Sequence, residues 1–400
     1  MPILVKLKSF RILFAVLLAI SVPFSIYTAP GTHTPLMLVA YFLFLPLCLK
    51  VKPNDEKKDI FFIWWMIFYI ALNVLSLFLH QDNFWLDTSK TMNIIIFVMI
   101  PFIFVITGYG TRLSLESFII MVSVIAIVAS IIVIYQRTSY IFTGNYYKDF
   151  FIPGLESSNY DLSKKSSIFL DRPSAFFAEP SHFAQFVLPT IAFYLQKRNI
   201  PVSLILIAGV LFSGSTNGLA GLGVVVLFSF FVGKKISLKQ ILFVVLVIIG
   251  IHQLSMTEYM SSGMAKVQGV DMDNYSRLLG SLPIFTKFGL KEWVFGVGLG
   301  NRELFLTANH IFTGIQKHDA YMSSFFGFLA NFGIIGFSGF IAMIIHLLKR
   351  YTLKSKNYVY LAIFVVLSFS TSMMFDCFMM YYFIFIMYTK ELTVLGQKKQ

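Results

Sequence analysis

The chain has 400 residues, of which 57% are apolar, 17% aromatic and only 13% charged, and its formal net charge is +13. So much apolar surface cannot be hidden in a soluble core of this length, which excludes a soluble globular protein and makes lipid the solvent. Two cysteines are too few for a disulfide framework or a cysteine-rich metal site, and no basic stripe interleaved with aromatics points to nucleic acid.

Hydropathy predicts about twelve spans in chain order, at roughly 11–29, 34–49, 60–79, 92–108, 115–135, 182–196, 200–212, 217–233, 240–255, 321–348, 357–375 and 377–389. Strands of a membrane barrel would alternate apolar and polar residues over about ten positions, and no segment does so. The expected architecture is therefore all-α: a polytopic transmembrane helical bundle of about twelve helices, forming a single integral membrane domain over residues 1–400. Lys6, Lys8 and Arg11 precede the first span, as in an uncleaved signal anchor. Cys48 and Cys377 both fall in apolar spans, where a free thiol behaves as a small hydrophobe.

An even number of spans puts both termini on one side. The short connections on that side carry Lys50, Lys52, Lys57, Lys58, Arg112, Lys197, Arg198, Lys234, Lys235, Lys239, Lys349, Arg350, Lys354 and Lys356. By the positive-inside rule that side is the cytoplasm, so the net charge is an orientation signal. Two long segments, about 136–181 and 256–320, lie on the opposite face with acidic and basic residues near balance.

The first long segment ends in Arg172-Pro173-Ser174-Ala175-Phe176-Phe177-Ala178-Glu179-Pro180-Ser181-His182, charged and polar groups set against the start of an apolar span. Ionisable groups at a membrane boundary are costly to hold there and mark sites, and Pro173 and Pro180 stiffen the backbone between Arg172 and Glu179. The second segment carries Asn274-Tyr275-Ser276-Arg277. Leu278, Leu279, Leu282 and Phe285 then follow at helical spacing, as in a short helix lying along the membrane surface with Arg277 near the headgroups. Gly296, Gly298 and Gly300 alternate, but with no strand before them they read as a turn rather than a dinucleotide loop. His318 sits beside Asp319, whose carboxylate can orient the ring or hold its proton. No HExxH, His-x-x-x-His or cysteine ligand set suggests zinc. Asp376 is read as the tip of a tight hairpin between the last two spans, the alternative being a charge buried among them.

The plan of about twelve spans, the Arg172 to Ser181 segment, and a second outer segment with Arg277, Phe295-Gly-Val-Gly-Leu-Gly-Asn301 and His318-Asp319 resembles the O-antigen polymerase (Wzy) and O-antigen ligase group. Asn331-Phe332-Gly333-Ile334-Ile335-Gly336-Phe337 and Ser213-Gly214-Ser215-Thr216-Asn217-Gly218 also fit that group. The resemblance implies a metal-independent glycosyltransferase of the bacterial inner membrane, with both termini cytoplasmic and its active site on the extracytoplasmic face. Its donor would be an undecaprenyl-diphosphate-linked glycan, its surroundings membrane lipid, and its partners a chain-length regulator and a flippase, with no cofactor. A diphosphate leaving group needs positive charge, which Arg172 and Arg277 can supply, and a sugar hydroxyl needs a base, for which Glu179 and His318 are the candidates. His182, Tyr275 and Asp319 stand beside them as further substrate-binding residues. A ligase transferring finished glycan to an acceptor uses the same donor chemistry and stays open. So does a transporter of lipid-linked sugar, although the charged groups gather at one face instead of near midspan.

Overall fold

The computed structural model describes residues 2–28, 59–83, 85–100, 102–103, 114–144, 156–157, 173–177, 179–230, 282–309, 322–355 and 357–392. The spans predicted at 34–49 and 240–255 lie outside them. The described chain is helical apart from one short antiparallel pair, in which Tyr27–Thr28 (β1) meets Glu156–Ser157 (β2).

The first helix is α1 (Pro2–Ser21). α2 (Ile60–Leu79) starts where the Asp59 carboxylate accepts a hydrogen bond from the Phe61 amide at 3.3 Å, which satisfies one of the amide groups a helix start leaves open. α3 (Thr88–Ile94) is capped in the same way by Asp87, whose Oδ1 accepts from the Lys90 amide at 2.8 Å, and runs on as a π-helical stretch, Ile95–Met99. α4 (Leu115–Thr143) ends on Gly144, which takes the left-handed conformation (φ 67°) that glycine adopts without penalty.

α5 (Pro180–Gln196) opens on a proline whose missing N–H falls where no helix partner exists. α6 (Ile200–Phe212) and α7 (Thr216–Phe230) are joined by a tight turn in which Gly214 has φ 62°. Three short helices follow, α8 (Leu282–Thr286), α9 (Leu290–Phe295) and α10 (Arg302–Ala308). α11 (Ser324–Leu347) continues through a π-helical stretch, Leu348–Thr352, to Leu353–Ser355. α12 (Val359–Ser370) and α13 (Cys377–Met387) close the chain, with Asp376 capping α13 through the Met379 amide at 2.9 Å.

Among the described residues, Ile60–Leu79, Leu115–Thr143 and Ser324–Ser355 are long and apolar enough to cross a membrane, and shorter apolar helices run beside them. Residues such as Trp64, Phe78, Ile120 and Ile131 are exposed on these helices, as lipid-facing side chains are. Cys377 is buried.

Two sets of contacts mark the two ends of the bundle. At one end the Asp59 carboxylate meets His346 Nε2 (2.8 Å) and the Tyr351 hydroxyl (2.6 Å), the Ser114 amide meets the Arg11 carbonyl, and Gln196 and Asn357 exchange amide hydrogen bonds. At the other end His80 meets Gly296, Gln136 meets Ala175, and Ser324 meets Thr371. The short helices α8 to α10 belong to this second end. They form a small core of their own from Trp85, Ile284, Val297, Phe305, Leu306, Met322 and Ala330.

One predicted boundary is corrected. The first long segment was expected to begin at Gln136, but α4 continues to Thr143, and both Gln136 and Arg137 are buried in it. Hydropathy falls at those two residues because they are polar, yet the backbone keeps its helical hydrogen bonds until Gly144 releases them. Within the described residues the predicted surface helix covers Leu282–Thr286, while Arg277, Leu278 and Leu279 lie outside them.

Candidate functional site

The segment leading to α5 is the first of two places where polar groups meet at the His80 end of the bundle. Ser174 and Phe177 close a turn, with the Phe177 amide donating to the Ser174 carbonyl at 3.0 Å and the Ser174 hydroxyl donating to the Phe177 carbonyl at 2.8 Å. Ala175 is held at φ 50° in this turn, a conformation that costs a residue with a Cβ about 1–2 kcal/mol. What holds it is Gln136, whose side-chain Oε1 accepts from the Ala175 amide at 3.1 Å inside the protein. Phe177 packs on Phe183 and Phe186, so the turn is tied to α5 as well as to α4.

Glu179 follows as the residue just before α5, with extended backbone. It is half-buried, and the Ser181 hydroxyl donates to its Oε2 at 2.9 Å. The His182 ring lies 5.4 Å from that of Phe378 on α13. Below this contact the Tyr382 hydroxyl donates to the Gln185 carbonyl and the Tyr381 hydroxyl to the Phe186 carbonyl, so α5 and α13 run parallel. α7 runs the same way, with Gly218 against Ala184 and Gly221 against Leu188. The amino-terminal ends of three helices therefore lie at one end of the bundle, where the Asp376 carboxylate caps α13 and the Ser215 hydroxyl accepts from the Gly218 amide of α7.

The second place is the glycine run after α9. His80, at the end of α2, is fully buried, and its Nε2 meets the Gly296 carbonyl at 3.0 Å while Asn83 Nδ2 meets its Nδ1 at 3.2 Å. This pattern fits one neutral tautomer, with Nε2 donating and Nδ1 accepting. Burial pushes the imidazole below its ordinary pKa, against the upward pull of the Gly296 carbonyl and the Glu292 carboxylate. The run itself descends along α2. The Leu299 amide donates to Asn73 Oδ1 at 2.9 Å, and the Thr91 hydroxyl reaches the Leu299 carbonyl at 3.2 Å. Asn73 lies seven residues before His80, so the turn enters the bundle by about 10 Å. Asn301 fastens it to α3, accepting from the Asp87 amide at 2.9 Å and donating to the Thr91 hydroxyl at 2.9 Å.

α11 is broken where this turn meets it. Gly333 has φ 62° and ψ −165°, and Gly296 has φ 74° and ψ −176°, both in a region open in practice to glycine alone. The Val297 and Gly298 amides donate to the Ala330 and Asn331 carbonyls at 3.0 and 2.9 Å. These bonds take up carbonyls at the break in α11, and unsatisfied backbone at membrane depth is not tolerated. The two backbones touch so closely that a Cβ on Gly296 would stand 2.2 Å from the Asn331 carbonyl carbon, and one on Gly333 2.3 Å from that of Val294. The glycine alternation is thus a turn, as expected, but an enclosed one locked against a broken helix.

Of the residues proposed from sequence, Glu179 and His182 are described and sit within one turn of each other at the start of α5. Arg172, Tyr275, Arg277, His318 and Asp319 lie outside the described residues. Asp376 lies in the connection between α12 and α13 and caps α13 through the Met379 amide. Sequence inspection passed over Gln136, Arg137, Asn73, His80 and Thr91, and named Asn301 only as the end of the glycine motif, all of them buried. Polar residues recurring at Asn73, Ser76 and His80 on one face of an otherwise apolar span were the available signal. Among the described residues no three His, Cys, Asp or Glu side chains gather as a metal site would require.

No curated protein matches this chain. A protein-family model does, and it runs through both polar sites and the helices that carry them. Residues 12–389 match the family described as WcaD colanic acid polymerase, and the chain belongs to that family of polysaccharide polymerases.

Proposed function

We propose that this protein lengthens a surface polysaccharide on the outer face of the bacterial cytoplasmic membrane, joining oligosaccharide repeats carried on undecaprenyl diphosphate. In the proposed step a hydroxyl oxygen of the acceptor sugar forms a bond to the anomeric carbon of the donor. The bond from that carbon to the diphosphate oxygen breaks, and its electron pair leaves with undecaprenyl diphosphate. The hydroxyl proton passes to the Glu179 carboxylate, or to His318 in the second assignment. Arg172 and Arg277 neutralise the charge that grows on the diphosphate, for which two guanidinium forks suffice without a metal. His182, Tyr275 and Asp319 hold the sugars.

The match over residues 12–389 carries the polymerase reading. The seat of Glu179 supports its role, since it is half-buried and hydrogen-bonded by Ser181. A partner that sets chain length and a flippase that delivers the repeats would work with this site from the same membrane.

The test is the surface polysaccharide of cells expressing variants at wild-type protein level, resolved by size on a gel. Glu179→Gln is expected to leave single repeats while inserting normally, and unchanged chain growth would transfer the base to His318. Arg172→Ala and Arg277→Ala are expected to abolish polymer, with Lys at either position restoring part of it at most. Polymer of normal length stranded on its lipid carrier in a deletion strain would identify a ligase instead.

A further inference from the structure

Gln185 is a polar residue that α5 buries without using its side chain. It is 1% exposed, and among the described residues its side-chain Oε1 accepts no hydrogen bond. Its backbone carbonyl is provided for. Pro189, four residues on, has no N–H to offer that carbonyl, and the Tyr382 hydroxyl of α13 donates to it at 2.8 Å instead. A buried amide oxygen left short of a donor costs stability, so its persistence calls for a partner from outside the fold. A methionine of similar volume would fill the same place without that cost.

Helix geometry sets where the amide points. Ala184 and Leu188 face α7, where they meet Gly218 and Gly221. His182 and Phe186 face α13, where their rings lie 5.4 Å from Phe378 and 5.0 Å from Tyr381. At about 100° per residue Gln185 falls midway between those two directions, so its side chain enters the seam between α7 and α13. Long side chains on a helix lean towards its amino end, and one turn that way is Ser181, whose hydroxyl donates to the Glu179 carboxylate. Gln185 follows Glu179 by six residues, a descent of about 9 Å along the axis that the lean of the side chain shortens. Burial eases in the same direction, from Gln185 through Ser181, at 8% exposure, to the half-buried His182 and Glu179. The unused acceptor thus lies beneath the proposed base, on the way inward from it.

We propose that Gln185 is a substrate-binding residue of this site, whose amide receives a hydroxyl of the acceptor sugar beneath Glu179. The assignment rests on the function proposed above. A sugar ring carries hydroxyls on neighbouring carbons, each both donor and acceptor, and a side-chain amide offers an acceptor oxygen and two N–H donors in one plane. The ring that presents its reacting hydroxyl to Glu179 donates from a second hydroxyl to Gln185 Oε1. That supplies the donor the fold leaves out, and it fixes the ring against rotation at the base. No proton is transferred at Gln185, which binds and orients. An apolar side chain in its place would remove the cost of the orphaned oxygen and lose the hold on the sugar, a conflict between stability and function.

The experiment uses the full chain in lipid nanodiscs and two probes: the undecaprenyl-diphosphate-linked repeat unit extracted from a strain lacking this protein, and undecaprenyl diphosphate alone. Gln185→Met keeps the volume and removes the amide. The variant is expected to melt at the wild-type temperature or above it, because its Oε1 gives up no hydrogen bond within the fold. Its Kd for the repeat unit should weaken about 10-fold, while that for undecaprenyl diphosphate stays unchanged. Wild-type affinity for the repeat unit would overturn the assignment and leave a buried water as the partner of Oε1. A Gln185→Met protein that melts several degrees lower, fails to fold, or loses both probes alike would overturn it too, since the amide would then serve the fold. Failure of the parent reading looks different: the wild-type protein would then not bind the repeat unit at all.

Discussion

His80 shows how a single buried ring can make one end of the bundle sensitive to acid. Its folded pKa lies below the ordinary imidazole value because burial disfavours the charged form, and neutral His80 has partners on both nitrogens. The unfolded chain therefore binds the proton first as pH falls through the ordinary imidazole range. Stability drops from there until the lower folded pKa is reached, and changes no further below it. The thermal midpoint of the purified protein should fall between pH 7.5 and 5.5, and His80→Gln should flatten that limb. Asp59 acts in a separate, more acidic window. Burial would raise its carboxyl, but the hydrogen bonds from His346 and Tyr351, and then the charges of His346 and Arg350, outweigh that and hold it below its ordinary value. Its contribution is present above the unfolded pKa and is lost only as pH falls through the folded one. A second prediction at this scale concerns Gly333→Ala. The left-handed φ alone costs about 1–3 kcal/mol, and the Val294 carbonyl leaves no room for the methyl group. Little folded protein is expected in a detergent-extraction assay, whereas Gly223→Ala, which meets nothing within 4 Å, should be tolerated.

Among the elements, the turn from Gly296 to Asn301 has the most to lose from one change. Asn301 sits at the start of α10, where an asparagine ordinarily caps its own helix, but its side chain is spent on Asp87 and Thr91 of α3 instead. Removing that amide leaves the part-buried Asp87 amide without its acceptor and takes a donor from the Thr91 hydroxyl, which still reaches the Leu299 carbonyl, a loss of about 1–3 kcal/mol. Asn301→Ala should raise hydrogen exchange across residues 296–309 while leaving α4 and α5 protected, and equal protection in both would show that the turn is held by packing alone. The same element shows where sequence reading stopped. Glycine spacing announced a turn between Phe295 and Asn301, but a linear pattern carries no sign that the turn would meet a break in α11 more than thirty residues away in the chain. Only the crossing of two backbones explains why Gly296 and Gly333 are both glycine.

At the scale of the whole molecule, the contacts separate two ends, one holding Asp59, His346, Arg350 and Arg11, the other Glu179, His80 and Gly296. If the positive-inside rule sets the orientation, the first end faces the cytoplasm. A cysteine placed at Lys354 in a cysteine-free background should then resist a membrane-impermeant maleimide in intact cells, and one at Thr143 should react. The reverse pattern would invert the topology and remove Glu179 from the outer face. By itself the sequence determined that this chain lives in lipid, that it is helical, and where most of its described spans begin. Those facts follow from composition, the length of apolar runs and the local chemistry of proline and charge, all of which act over neighbouring residues. Tertiary structure alone decided that Gln136 and Arg137 belong inside a helix, that Gln136 holds the turn before Glu179, and that Asn73, Thr91 and Asn301 close on one buried turn. Each of those outcomes depends on a polar group finding its partner across the bundle, and in a medium without water the partner is chosen by position in space, not by distance along the chain.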